Sequence, residues 1–184
     1  RCGVAQNQVV LGNGSNDVLD LIARVFLAPG RSAVFAQHAF AVYPLATLST
    51  GAELISTPAK NYGHDLNAMR AAIRPDTRIV WIANPNNPTG ALYPKELLLE
   101  IIEIARQHQL IIYADEIYDK ILYQEAVHTS IASLADDVLF VTFNGLSKNY
   151  RAAGFRSGWA VVSGEKNHAR DYIGGLNMLA SMRL

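Results

Sequence analysis

The sequence predicts an α/β fold built on a mostly parallel sheet, and three observations carry that expectation. Strand-length apolar runs alternate with segments of helical period along the 184 residues, the pattern of repeated βαβ units. Three of those runs lack polar alternation and end in polar, chemically capable residues, as strands buried on both faces do at a ligand-binding edge. They are Ile79 to Ala83, followed by Asn84-Pro85-Asn86-Asn87-Pro88-Thr89-Gly90; Leu110 to Ala114, followed by Asp115-Glu116-Ile117-Tyr118; and Val138 to Phe143, followed by Asn144-Gly145-Leu146-Ser147-Lys148. No linker, repeat or low-complexity segment interrupts the pattern, so one compact unit is expected.

Taken in order, Gln8 to Leu11 is a short entry segment and Gly12-Asn13-Gly14 a turn. Ser15 or Asn16 is placed to cap a helix whose apolar stripe is Val18, Leu19, Leu21, Ile22, Val25 and Phe26. Pro29-Gly30 stops it. Ala33 to Ala36 reads as a strand, Tyr43 to Ser49 as a helix opened by Pro44, and Glu53 to Thr57 as a strand. Asp65 caps a short helix running through Met69 and Ile73. Pro94 opens the clearest helix, whose apolar face is Leu97, Leu98, Ile101, Ile102, Ile104 and Ala105. Trp159 to Val162 reads as a strand. Ala169 to Leu184 reads as a helix weakened by Gly174-Gly175.

Composition narrows the function. Half the residues are hydrophobic and 17% are charged, which describes a globular chain rather than a disordered one. Sixteen basic residues balance sixteen acidic ones, which argues against a nucleic-acid surface. A single cysteine, Cys2, makes no internal disulfide and fits a reducing, cytoplasmic setting. No run of ~18 apolar residues is present to span a membrane. The five histidines (His38, His64, His108, His128 and His168) form no i, i+4 pair, so no metal site is expected. The start, Arg1-Cys2-Gly3-Val4, carries neither an initiator methionine nor a signal peptide and reads as an internal point of a longer protein.

The chemistry is expected at the three strand ends. A lysine just past a buried strand is partly desolvated; its ammonium pKa then falls and the neutral amine becomes a nucleophile for a carbonyl, which singles out Lys148. Asp115 ends a strand without polar alternation and needs a partner. A protonated pyridine nitrogen, which an electron-sink cofactor requires, would satisfy it. Arg156, in Gly154-Phe155-Arg156-Ser157-Gly158-Trp159, offers a planar fork for a phosphate or carboxylate. The Gly14-Ser15-Asn16-Asp17 turn offers backbone N–H groups and a helix N-terminus to an anion, without the third glycine of a dinucleotide fingerprint. Phe40 or Tyr43 could stack on a planar ring. Asn87 and Tyr118 carry groups able to hold a phenolate oxygen. Glu116 reads as a salt-bridge partner and Asp136-Asp137 as a turn before a strand.

Asn84 to Gly90, Asp115-Glu116-Ile117-Tyr118, and Ser147-Lys148 with Arg156, in this order and spacing, resemble the large domain of class I/II aminotransferases, fold type I pyridoxal-phosphate enzymes. The resemblance covers essentially all 184 residues. It implies a three-layer α/β/α domain over 1–184, cut at both ends, with the small domain largely absent. It implies pyridoxal 5′-phosphate as cofactor, a homodimer for the full-length parent, and ping-pong transfer of an amino group between an amino acid and a 2-oxo acid. Residue by residue, Lys148 resembles the lysine that holds the cofactor and shuttles the proton between Cα and C4′. Asp115 resembles the partner of the pyridine nitrogen, Asn87 and Tyr118 the donors to the ring 3′-oxygen, and Phe40 the stacking aromatic. Ser15, Asn16, Ser147 and Arg156 fall where the phosphate is held. Family members often carry a hydroxyl where this chain has Gly145, which implies a phosphate cup with one donor fewer or filled by another group. The chain stops at Ser181-Met182-Arg183-Leu184, before the segment that clamps the substrate carboxylate, so it is expected to hold cofactor better than substrate.

Residues 3–83 look like histidinol-phosphate aminotransferases, whereas 92–184 look like bacterial alanine (glutamate–pyruvate) aminotransferases. Substrates of either kind are therefore open: alanine or glutamate on one reading, histidinol phosphate or an aromatic amino acid on the other. A C–S lyase or decarboxylase would use the same cofactor residues. A cofactor-binding sensor would add a DNA-binding module and a basic surface that this sequence lacks, and a fragment that binds without turnover is a further alternative.

Overall fold

A computed structural model of the chain describes residue 5 and residues 8–182; Cys2, the first four residues and the final two of the expected C-terminal helix lie outside the described residues. Seven strands form one sheet in the order β1 (Val9–Gly12), β9 (Gly158–Gly164), β8 (Leu139–Gly145), β7 (Ile112–Asp115), β6 (Thr77–Ala83), β2 (Ser32–Ala36), β3 (Glu53–Thr57). Strands β8, β7, β6, β2 and β3 run parallel; β9 is antiparallel to both β8 and β1. A two-stranded hairpin, β4 (Ala59–Lys60) with β5 (Gly63–His64), stands apart and was not foreseen, because two-residue strands leave no period to read.

Helices cover both faces, giving the three layers expected. Along β2 the side chains alternate: Ala33 and Phe35 join the core beneath α1 (Ser15–Phe26), α2 (Val42–Ser49) and α5 (Arg170–Ser181), while Val34 and Ala36 join the core beneath α3 (Leu66–Ala71) and α4 (Lys95–His108). The same division separates Tyr113 from Ile112 and Ala114 on β7, and Val141 and Phe143 from Phe140 on β8. Both faces are therefore apolar, which is why these strands read as continuous hydrophobic runs.

The helices follow from their apolar stripes and stops. Val18, Leu19, Leu21, Ile22 and Ala23 bury one face of α1, whereas Val25, assigned to that stripe from sequence, is exposed. Asp65 caps α3 as expected, its carboxylate accepting from Ala68 N at 3.1 Å. In α4, Leu98, Ile101, Ile102 and Ala105 face the sheet and Gln109 closes the helix in the left-handed conformation. Helix α2 starts at Val42, which leaves Pro44 in the first turn, where its missing N–H costs no hydrogen bond. No helix among the described residues is long and apolar enough to cross a membrane.

Candidate active site

The three polar strand ends lie side by side, because β6, β7 and β8 are parallel neighbours that finish at one edge. Ala83 pairs with Asp115, and Asp115 with Phe143. Asn84 N donates to Asp115 O at 3.1 Å, and Glu116 N to Phe143 O at 3.0 Å, so the connections after the strands are tied to one another.

Asp115 is buried at the end of β7. Its Oδ2 accepts from Tyr43 Oη at 3.0 Å and its Oδ1 from Ile117 N at 3.3 Å. Burial pushes its carboxyl from an ordinary 3.8 to about 6, against the opposing pull of those two donors and of the Lys148 charge. The partner that the sequence demanded is thus a tyrosine hydroxyl, with a cation close enough to act but not in contact. Tyr43 is itself buried, stacked on Trp81 with ring centroids 4.9 Å apart and planes 4° from parallel. Phe40 meets the Tyr43 ring edge-on at 5.8 Å and is half-buried, so one aromatic column links it to the floor beneath Asp115. Tyr43, weighed from sequence as a stacking ring, acts instead as the Asp115 donor. Its signal was a phenol in an otherwise apolar helix, since a buried hydroxyl needs a partner.

Lys148 Nζ lies 5.7 Å from the centroid of the Tyr118 ring, over its face. Lys148 is exposed, which corrects the expectation of partial desolvation: the strand ends at Gly145, three residues before it, and the amine stands over the Tyr118 ring. Tyr118 is half-buried. Asn87 is buried in the turn after β6 and makes no side-chain hydrogen bond to another described residue.

The anion-binding candidates converge through glycines. Gly12, Gly158 and Gly145 form one row across β1, β9 and β8. A Cβ on Gly158 would fall 2.4 Å from Ser15 N and 2.6 Å from the Gly14 carbonyl carbon, so only glycine lets the start of α1 press onto the sheet edge. Gly14, at φ +82°, faces the Arg156 guanidinium, whose Nη2 would stand 2.6 Å from a Cβ there. Arg156 Nη1 also donates to Ser147 Oγ at 3.4 Å and to Ala153 O at 3.1 Å. Ser147, Arg156, Gly14 and Ser15 therefore gather at one spot. Asn16 shares the first helical turn but is exposed. The expected cap is corrected: Ser15 and Asn16 are inside α1, and Gly14 is the cap residue, with no side-chain cap bond. Gly145 is buried, and a Cβ there would stand 3.0 Å from Ser157 O and 3.3 Å from Gly158 Cα, so a side chain at this position would fit tightly.

Glu116 turns away from this edge, toward the α3 and α4 side, where its Oε1 accepts from Ile131 N at 3.2 Å and His128 Nε2 lies 4.0 Å from its Oε2. Asp137 forms a two-pronged pair with Arg106, at 2.6 and 2.9 Å, before β8. Among the described residues no three His, Cys, Asp or Glu side chains converge as a metal site would need.

Residues 3–182 match the family described as aminotransferase class I and II. The chain belongs to that family. It is 62% identical over 165 residues to histidinol-phosphate aminotransferase 1 of Dechloromonas aromatica, and 50% identical over 184 residues to the glutamate-pyruvate aminotransferase AlaA of Escherichia coli. Those matches cover 90% and 98% of the chain, so each runs through both its halves, and 45% of each relative. The fold superposes on a crystal structure of an Escherichia coli aminotransferase with a TM-score of 0.93 at 48% identity, over 98% of this chain and 46% of that one. On the alanine aminotransferase of Pyrococcus furiosus the TM-score is 0.91 at 30% identity, over 98% of this chain and 47% of that one. The chain thus spans a little under half the length of the aminotransferases it matches.

Proposed function

We propose that residues 1–184 are the cofactor-binding large-domain portion of a pyridoxal-phosphate-dependent aminotransferase, acting on an alanine- or glutamate-type amino acid and a 2-oxo acid. The observation that carries this reading is the meeting, at one sheet edge, of a buried carboxylate (Asp115), an amine over a tyrosine ring (Lys148), and a glycine-lined recess faced by a guanidinium (Gly14, Gly158 and Arg156).

The residues fit the group chemically. Asp115 would hold the pyridine nitrogen, Asn87 and Tyr118 the 3′-oxygen, and Phe40 one face of the ring. Ser15, Asn16, Ser147 and Arg156 would hold the phosphate. Pyridoxal phosphate, when bound, supplies an electron sink for the pair released at the substrate Cα. Lys148 would hold the group through its amine and would serve as the base that moves the substrate Cα proton, a role typically contributing ~10²–10⁴-fold. Arg156 would neutralise phosphate charge and so help to hold the group in place. A homodimeric, cytoplasmic parent completes the reading.

Two supports bear on substrate. The relatives named for glutamate and pyruvate match across 98% of the chain; those named for histidinol phosphate keep that substrate as the second reading. The exposure of Lys148 favours cofactor binding without turnover when this chain stands alone. Reductive trapping tests the assignment. Borohydride treatment with pyridoxal phosphate, followed by peptide mapping, is expected to label Lys148. Labelling spread over surface lysines would refute it.

A further inference from the structure

Behind the site, on the α3 and α4 side of the sheet edge, polar groups form a buried network that meets the proposed cofactor residues at the Asp115 backbone, where Asn84 N donates to its carbonyl. His128 Nε2 lies 3.0 Å from Asn84 O. A carbonyl has no proton to give, so Nε2 carries the hydrogen and the ring is the donor. The same Nε2 stands 4.0 Å from Glu116 Oε2. Glu116 is itself held by Ile131 N, by Ser130, and by Asn144 Nδ2, which donates to its backbone carbonyl at 3.1 Å.

Asn84 is the hub. Its Oδ1 accepts from Tyr93 N at 3.1 Å, its Nδ2 reaches Thr129 O at 3.5 Å, and its N donates to Asp115 O. Asn84 also begins the turn that presents Asn87, and that turn closes on itself through Gly90 N to Asn86 O and Asn86 N to Ala91 O, both 2.7 Å. The contact from His128 is the one in this network that ties the turn's first carbonyl to the segment packed against Glu116. Charges facing the pair come from two carboxylates: Asp119 acts on both Glu116 and His128, and Asp115 acts on Glu116. Burial raises Glu116 to about 7 and lowers His128, so a neutral imidazole donor is the form the surroundings favour.

We propose that His128 is a positioning residue: through its Nε2–H it holds the Asn84–Gly90 turn, and with it Asn87, against the end of β7. Its bearing on the cofactor rests on the reading of Asn87 given above, whereas the tether itself does not. The first test therefore uses the ligand-free chain. Hydrogen exchange is read at the Asn84, Asn86 and Gly90 amides, with Val34 inside β2, outside the turn, as a reference. His128→Phe removes the donor and is expected to speed exchange in the turn by roughly tenfold while leaving Val34 unchanged. His128→Gln restores an N–H donor and is expected to stay within about twofold of the native rate.

A Phe variant that exchanges like the native chain, or a Gln variant as fast as Phe, overturns the proposal. Should His128→Phe not fold, long-range ¹H–¹⁵N spectra of the native imidazole decide: the Nε2–H tautomer at neutral pH supports the tether, and the Nδ1–H tautomer refutes it. The link to the cofactor is read separately, as pyridoxal-phosphate affinity. His128→Phe is expected to weaken it several-fold in the native background and hardly at all in Asn87→Ala. Equal weakening in both backgrounds breaks the link to Asn87. Native protein that binds no cofactor contradicts the proposed function and leaves the exchange result to judge the tether.

Discussion

Burial holds the Asp115 carboxyl at about 6 rather than 3.8, and Tyr43 Oη is the side-chain donor that resists the shift. Between those two values the folded chain keeps a proton that the unfolded chain has released, so stability falls as pH rises from about 4 to about 6, by an amount on the order of 3 kcal/mol. Glu116, raised to about 7, extends the same downward slope. Urea denaturation at a series of pH values should show that decline, and Asp115→Asn should flatten its acid part while leaving the Glu116 part. Tyr43→Phe should cost roughly 1–3 kcal/mol at pH 7.5, because a buried carboxylate then loses a donor. In that variant the Asp115 transition should move above 6. Unchanged denaturation curves for both variants would refute this account of the carboxylate.

At the scale of elements, the strand ends were legible and the recess beside them was not. Ile79 to Ala83, Leu110 to Ala114 and Val138 to Phe143 could be read because strands buried on both faces show no alternation, and their polar termini then mark one edge. Asp115 and Lys148 followed from that. The approach of Gly14 to Arg156 depends on β9 running antiparallel beside β8 and on Gly158 meeting the start of α1, a register that local sequence does not encode. Tyr43 was weighed as a stacking ring because a phenol in an apolar helix gives the burial but not the direction of its hydroxyl. The exposure of Lys148 was missed for a related reason: a buried strand says nothing about what covers the residue three beyond its end. Gly158→Ala tests the recess. Its methyl would meet backbone that cannot yield, so a loss of roughly 1–3 kcal/mol is expected by thermal melting. Gly174→Ala, which meets nothing within 4 Å in α5, should be neutral or stabilising by roughly 0.5–1 kcal/mol. Equal effects from the two would contradict the close approach.

For the whole molecule, a three-layer sheet brings one buried carboxylate, one amine and one guanidinium to a common edge, and it does so in a chain that spans 45% of the relatives it matches. The central claim is that this edge binds pyridoxal phosphate through Lys148. The most direct measurement is the visible absorption spectrum of the chain after incubation with pyridoxal phosphate and desalting, beside Lys148→Ala treated identically. A band is expected that survives desalting with Lys148 present, is lost in the alanine variant, and changes on adding alanine or glutamate. A band retained equally by Lys148→Ala, or no retained band in the native chain, would contradict it.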